Sequence, residues 1–150
     1  MGEVIAAFTG TGKTYFCSKH IGALDLVCMP FKYENLPLEF IPERCKADPE
    51  NAISMDWPFN YVEEIICQLP RYRYVVISSD NLVCSLLREE GIPYYLCYPD
   101  RSLKEEYRKR FLERGVVVKL FCNTVAKKIL DCFRNSIGSV GFYQGCFAPL

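Results

Sequence analysis

The chain has 150 residues and a mass of 17.3 kDa, the length of one domain, and a fold of that size buries roughly 70% of the surface its extended chain exposes without needing a metal or disulfide staple. Half of the residues are hydrophobic, 14% are aromatic and 24% are charged, which excludes a disordered chain, a collagen-like repeat and a low-complexity linker. Eighteen Lys plus Arg balance eighteen Asp plus Glu, so no overall field would hold the protein on nucleic acid or an anionic membrane, and any anion must be gripped locally.

Val4 to Phe8 is a short apolar run with β-branched residues, and it predicts a buried strand ending at Thr9-Gly10-Thr11-Gly12. A helix follows from Lys13 to Ile21, with Phe16, Cys17 and Ile21 on one face and Gly22 at its close. Ala23 to Cys28 is the second strand. Residues 29–55 carry Pro30, Pro37, Pro42 and Pro49 and read as long irregular backbone with a helical turn at most; loops of this length in compact domains are usually functional. Asp56 is placed to cap a helix that Pro58 helps start, with Val62, Ile65, Ile66 and Leu69 as its buried stripe and Pro70 as its stop. Tyr72 to Ser78 is the third strand, Asn81 to Glu90 a helix closed by Gly91, Tyr94 to Tyr98 the fourth strand, and Asp100 opens a charged helix to Arg114. Joined by right-handed crossovers, these elements predict a three-layer α/β domain: a parallel sheet covered on both faces.

Nine cysteines are scattered at Cys17, Cys28, Cys45, Cys67, Cys84, Cys97, Cys122, Cys132 and Cys146, with no C-x-x-C pair and with His20 as the one histidine. They read as small buried hydrophobes of a reducing cytosol, not as a zinc site. No apolar stretch approaches the about 18 residues of a membrane span, the N-terminus lacks a basic leader, and Ala6 stands where a myristoylation signal needs Ser or Thr. A cytoplasmic protein is expected. His20, near the end of the first helix, suits the helix dipole better than a catalytic role.

The first turn reads Ala7-Phe8-Thr9-Gly10-Thr11-Gly12-Lys13-Thr14, which meets the phosphate-loop template G-x-x-x-x-G-K-[ST] between a strand and a helix in all but its first glycine. Gly10 and Gly12 allow backbone N–H groups to turn inward around phosphate oxygens. The start of the helix faces the same place. Lys13 adds a point charge for the β- and γ-phosphates, and Thr14 offers a hydroxyl to Mg²⁺. Thr9 to Thr14 are therefore the candidate nucleotide-binding residues.

With glycines at 10 and 12 before the lysine, the loop looks like that of the nucleoside monophosphate kinases. Asn60-Tyr61-Val62-Glu63, Tyr74-Val75-Val76-Ile77-Ser78-Ser79, Ile92-Pro93-Tyr94, Tyr98-Pro99-Asp100-Arg101-Ser102 and Glu113-Arg114-Gly115 extend the likeness. Over 1–115, about three quarters of its length, the chain resembles phage and bacterial adenylate-kinase-like P-loop proteins. The resemblance implies the strand order and cleft of the monophosphate kinases, ATP with Mg²⁺ as donor, and a nucleotide-like small-molecule acceptor. It also implies a lid region whose arginines hold donor phosphates, for which Arg108, Arg110 and Arg114 are the candidates.

Phosphoryl transfer also calls for a carboxylate near the metal and cations over the transferring group. Asp80, after the third strand, lies at the sheet edge where ligands bind and is the candidate metal carboxylate, or else the cap of the next helix. Asp25, within the second strand, either orients an acceptor hydroxyl or pairs with a lysine. Leu103, Tyr107 and Phe111 share one face of the charged helix, and Arg110 and Arg114 intrude on it; Lys109 is accounted for by a Glu105 pair. Lys32, Tyr33, Trp57 and Tyr61 are possible base-stacking or phosphate-contacting groups on the acceptor side, with Trp57 and Tyr61 equally explained as anchors of the core or loop.

After Gly115 the family pattern stops. Val118, Phe121, Cys122, Val125, Ile129, Cys132 and Phe133 mark an apolar helical stripe over 117–134, and the last residues, with Gly138, Gly141 and Gly145 among aromatics, have no regular reading. Residues 116–150 thus form an atypical tail on a 1–115 core. The shift in composition raises the hypothesis of a disrupted or frame-shifted C-terminus, which would leave the lid incomplete. The function expected first is an ATP-dependent phosphotransferase. Its alternatives are a nucleotide-binding module without chemistry and a kinase of a modified base in phage DNA, the last disfavoured by zero net charge.

Overall fold

The computed structural model describes residues 1–34, 52–99, 103–113 and 140–144. Its elements run β1 (Glu3–Ala7), α1 (Lys13–Lys19), β2 (Ala23–Asp25), α2 (Met29–Lys32), α3 (Phe59–Gln68), β3 (Tyr74–Ser78), α4 (Asn81–Glu89), β4 (Tyr94–Tyr98), α5 (Lys104–Glu113) and β5 (Val140–Gln144). The strands pair in the order β2-β3-β1-β4-β5, all parallel. The expected α/β architecture with a parallel sheet is therefore present.

β1 lies in the middle because Val4, Ile5, Ala6 and Ala7 are buried on both faces, as an unbroken apolar run requires in a parallel sheet. Its alternation sorts the core into two clusters. Val4 and Ala6 join Val75, Ile77 and Leu96 against Tyr61, Val62 and Ile65 of α3 and Val83 and Leu87 of α4. Ile5 and Ala7 join Val76 and Cys97 on the other face, against Phe16 and Cys17 of α1. Helices thus cover both faces. Each fully buried Val or Ile contributes about 1.5–3 kcal/mol relative to exposure.

The register carries β1 and its neighbours to a common edge: Ala7 stands beside Ser78 of β3 and Cys97 of β4. The turns leaving β1, β2, β3 and β4 therefore gather at one end of the sheet, where ligands of open α/β sheets bind.

Several expectations are corrected. Asp56 does not cap α3; Pro58 occupies the cap position with no side-chain bond, and Asp56 contributes its backbone carbonyl to Asn60 N–H at 3.0 Å. Ile21 and Ile66 are exposed, Ile21 because α1 ends at Lys19 and His20 is already extended. β2 is shorter than expected, since Cys28 turns into the N-cap of α2. That single turn and a Tyr33 to Ile53 bridge give order to both ends of the long proline-containing stretch, whose middle lies outside the described residues. Val140–Gln144, which has no regular sequence reading, pairs with β4 from Tyr94 to Tyr98. Arg108, and not Lys109, is the partner of Glu105. The helix expected over 117–134 lies outside the described residues.

Cys84 and Cys97 are buried, Cys17 and Cys28 half-buried and Cys67 exposed, and none of the five is in a disulfide. The other four cysteines lie outside the described residues. No helix among the described residues is long and apolar enough to cross a membrane.

Candidate functional site

The loop from Phe8 to Gly12 leaves β1 at the centre of the sheet edge. Phe8 N–H donates to Cys97 O at 2.9 Å, which carries β1 pairing one residue past the strand. The chain then folds on itself. Thr11 donates to Phe8 O through both its amide, at 3.3 Å, and its hydroxyl, at 2.6 Å, and Thr11 is fully buried. Its side chain shapes the loop from within and is not presented to a ligand. Gly10 at φ 83 and Gly12 at φ 91 hold left-handed backbone, which an L side chain would strain. Ala7, where the template has its first glycine, is the last residue of β1 and in strand register, so a methyl group is accommodated there.

Lys13 arches back over this loop, its Nζ donating to Ala7 O at 3.2 Å and approaching Phe8 O at 3.4 Å. The ammonium thus sits across the loop mouth. Thr9 and Thr14 are exposed beside it, with Gly12 and Lys13 half-buried. α1 has seven residues, so its dipole adds little to the positive charge that Lys13 brings to this edge.

The Thr14 hydroxyl donates to Asp25 Oδ2 at 2.7 Å. Asp25, expected on the acceptor side, is thus brought to the phosphate loop. Hydroxyl and carboxylate oxygens are the hard donors Mg²⁺ takes, with nucleotide phosphates and water supplying the rest. Among the described residues no group of three or more His, Cys, Asp or Glu converges on a cation site.

Asp80 is differently engaged. Its Oδ1 accepts from Leu82 N–H at 3.0 Å and caps α4, while its Oδ2 pairs with Lys32 Nζ at 3.1 Å. Lys32 also lies 5.1 Å above the Trp57 ring, a cation–π contact. Trp57 stacks on Tyr61 at 5.6 Å. Its Nε1, like Asn60 Oδ1, is buried with no hydrogen-bond partner among the described residues; Asn60 donates through Nδ2 to Phe31 O at 2.8 Å. Tyr61 is fully buried and gives its hydroxyl to Leu26 O, so it anchors the core and does not face an acceptor. Tyr33 bridges to Ile53 at the start of the long loop.

One electrostatic field spans this edge. The Cys17 thiol is pushed up to about 11 by burial first, then by the Asp25 carboxylate, with Lys13 opposing. Cys28 is raised by burial against the opposing hydrogen bond of Ser78 and the charge of Lys32. Burial holds the Tyr61 phenol well above its usual range.

The arginine expectations divide. Arg108 is 56% exposed and pairs with Glu105 at 3.5 Å on the solvent side of α5, an arrangement worth little. Arg110 lies in α5, but its side chain is not described, and Arg114 lies outside the described residues. The inner face of α5 makes a contact that sequence did not foresee: Tyr107 and Phe111 are buried against the loop at Gly10. Their shared helical face was legible, whereas the surface it meets was not. His20 closes α1, its Nδ1 2.9 Å from Phe16 O and its ring stacked on Phe16.

Compared with protein-family models, curated proteins and solved structures, the chain matches none.

Proposed function

We propose that the chain is an ATP-dependent phosphotransferase of the nucleoside monophosphate kinase type, moving the γ-phosphoryl group to a nucleotide-like acceptor. The observation that carries this reading is the loop itself: left-handed Gly10 and Gly12 with Lys13 Nζ drawn over the carbonyls of Ala7 and Phe8, at the central strand of a parallel sheet. The strand order is compatible with a P-loop fold. Loop amides and the Lys13 ammonium would hold the phosphates, and the Thr14 hydroxyl would hold Mg²⁺, which would supply charge neutralisation to the transferring group. Lys32, with Trp57 beneath it, stands on the acceptor side. Such catalysis is positional and electrostatic, without a covalent intermediate.

The test is transfer from γ-labelled ATP to a panel of nucleosides and nucleoside monophosphates. Label should appear on at least one acceptor and vanish with Lys13→Ala, whose circular dichroism should remain that of the folded protein. Undiminished turnover in that variant rejects the proposal.

A second reading, nucleotide binding without transfer, is favoured by Arg108 turning to Glu105 in solvent and not to the loop. It predicts that ATP raises the melting temperature, by mass action on the native state, with no labelled product from any acceptor. Phosphorylation of a base within DNA is a third, which zero net charge disfavours; titration with DNA at low and high salt checks it.

A further inference from the structure

We infer that Asp25, acting through Thr14, is the carboxylate that secures the divalent cation of the bound nucleotide, and that Asp80 is not. This rests on the nucleotide reading of the phosphate loop and adds to it the residue that makes binding depend on the metal.

The inference starts from two carboxylates at the same sheet edge in unlike surroundings. Asp80 has one oxygen on the amide of Leu82 and the other on the ammonium of Lys32, at 3.0 and 3.1 Å. A cation arriving there would meet an ammonium already in place on one oxygen and would compete with it for the same negative charge. Asp25 has Thr14 as its partner, 2.7 Å from Oδ2. That bond fixes the direction of the hydroxyl hydrogen. With its proton committed to Asp25, the Thr14 oxygen turns its lone pairs outward, which is the polarity a metal ligand needs, and the adjacent negative charge raises its donor strength. Residues that orient a metal ligand in this way typically change metal affinity 10- to 100-fold when altered.

Chain geometry supports the pairing. Thr14 directly follows Lys13 in the first turn of α1, so a cation on its hydroxyl lies next to the phosphates that Lys13 would hold. Asp25 is the last residue of β2, in register with Val76, and α1 packs against β2. Asp25 is therefore a positioning residue held by backbone pairing, and its location does not depend on a mobile segment. Its effect on the ligand also has two signs. Without metal, its negative charge opposes the triphosphate. With metal, the same charge favours the complex.

That sign reversal is the test. ATP binding is measured by calorimetry with excess EDTA and with excess Mg²⁺, for the wild-type chain, Asp25→Asn, Asp80→Asn and Thr14→Val, and Mn²⁺ in the ATP complex is followed by electron paramagnetic resonance. Asp25→Asn should bind Mg²⁺–ATP 10- to 100-fold more weakly yet bind metal-free ATP more tightly than wild type, with an altered Mn²⁺ spectrum. Thr14→Val should also lose the Mg²⁺ dependence, and Asp80→Asn should retain it. If Asp25→Asn shifts both affinities in the same direction, or if Asp80→Asn and not Asp25→Asn removes the metal dependence, the inference is overturned. Should the wild-type chain bind ATP under neither condition, the phosphate-loop reading itself fails and takes this inference with it. Thermal melting of each variant separates these outcomes from loss of fold.

Discussion

The ring of Phe111 stands over Gly10 so closely that a Cβ at residue 10 would lie 3.0 Å from the ring Cζ. A helix about a hundred residues along the chain therefore helps hold the left-handed turn at the end of β1. Gly10→Ala should destabilise the fold by about 1–2 kcal/mol from the left-handed backbone alone, with more from displacing a ring that is 1% exposed. In a Phe111→Leu background the added cost should shrink, because the side chain that clashes is shorter. Urea unfolding of the four proteins in the cycle should give a coupling of about 0.5–3 kcal/mol; strict additivity would contradict the contact.

Asp80 combines two roles that substitution can separate. Asp80→Asn retains a good N-cap for α4 and loses the Lys32 pair, whereas Asp80→Ala loses both. The alanine variant should be less stable than the asparagine variant by about 1 kcal/mol. Both should fall below wild type, since Lys32 is 24% exposed and would be left without its counter-charge. Equal stability of the two variants would remove the capping role.

Tyr61 separates core from acceptor side. Tyr61→Phe deletes the hydroxyl whose hydrogen bond Leu26 O accepts and should lower stability by about 0.5–1.5 kcal/mol, the net contribution of a typical hydrogen bond. Acceptor KM should stay at the wild-type value, because a fully buried ring cannot stack on a ligand. A rise in KM without loss of stability would return Tyr61 to the acceptor side.

Cys17 reports on the charges of the loop. Its thiol is pushed from the ordinary 9.0 up to about 11, so the fold favours the neutral form. The corresponding stability is whole below pH 9 and fades as pH climbs through about 11. Alkylation of Cys17 by iodoacetamide, followed by peptide mass spectrometry, should lag at pH 9 behind that in the unfolded chain. Asp25→Asn should speed it, since the carboxylate raises the thiol, and Lys13→Ala should slow it, since the ammonium lowers it. Opposite responses would show that burial and charge are misassigned.

Much of the architecture could be read in the chain because its signals are local. Val4 to Ala7 form a continuous apolar run, Gly91 follows α4 with φ 68, and the glycines at 10 and 12 stand directly before Lys13. Asp56 misled because a capping side chain and a useful backbone carbonyl look alike in sequence. Ile21 misled because the helical period was carried one turn past the point where the chain extends. Val140–Gln144 was hidden because its strand character comes from pairing with β4, while Gly141 weakens any local signal.

The sequence by itself determined the succession of strands and longer helices from β1 to α5 and the presence of a glycine-lysine turn at the end of the first strand, since those follow from side-chain period and backbone freedom over a few neighbouring residues. Tertiary structure alone decided that Thr14 meets Asp25 across 11 residues and Lys32 meets Asp80 across 48, and that α5 closes over Gly10. Such meetings depend on how crossovers order the strands and on which helix packs where, and those free energies are shared across the whole core and not written in any one segment.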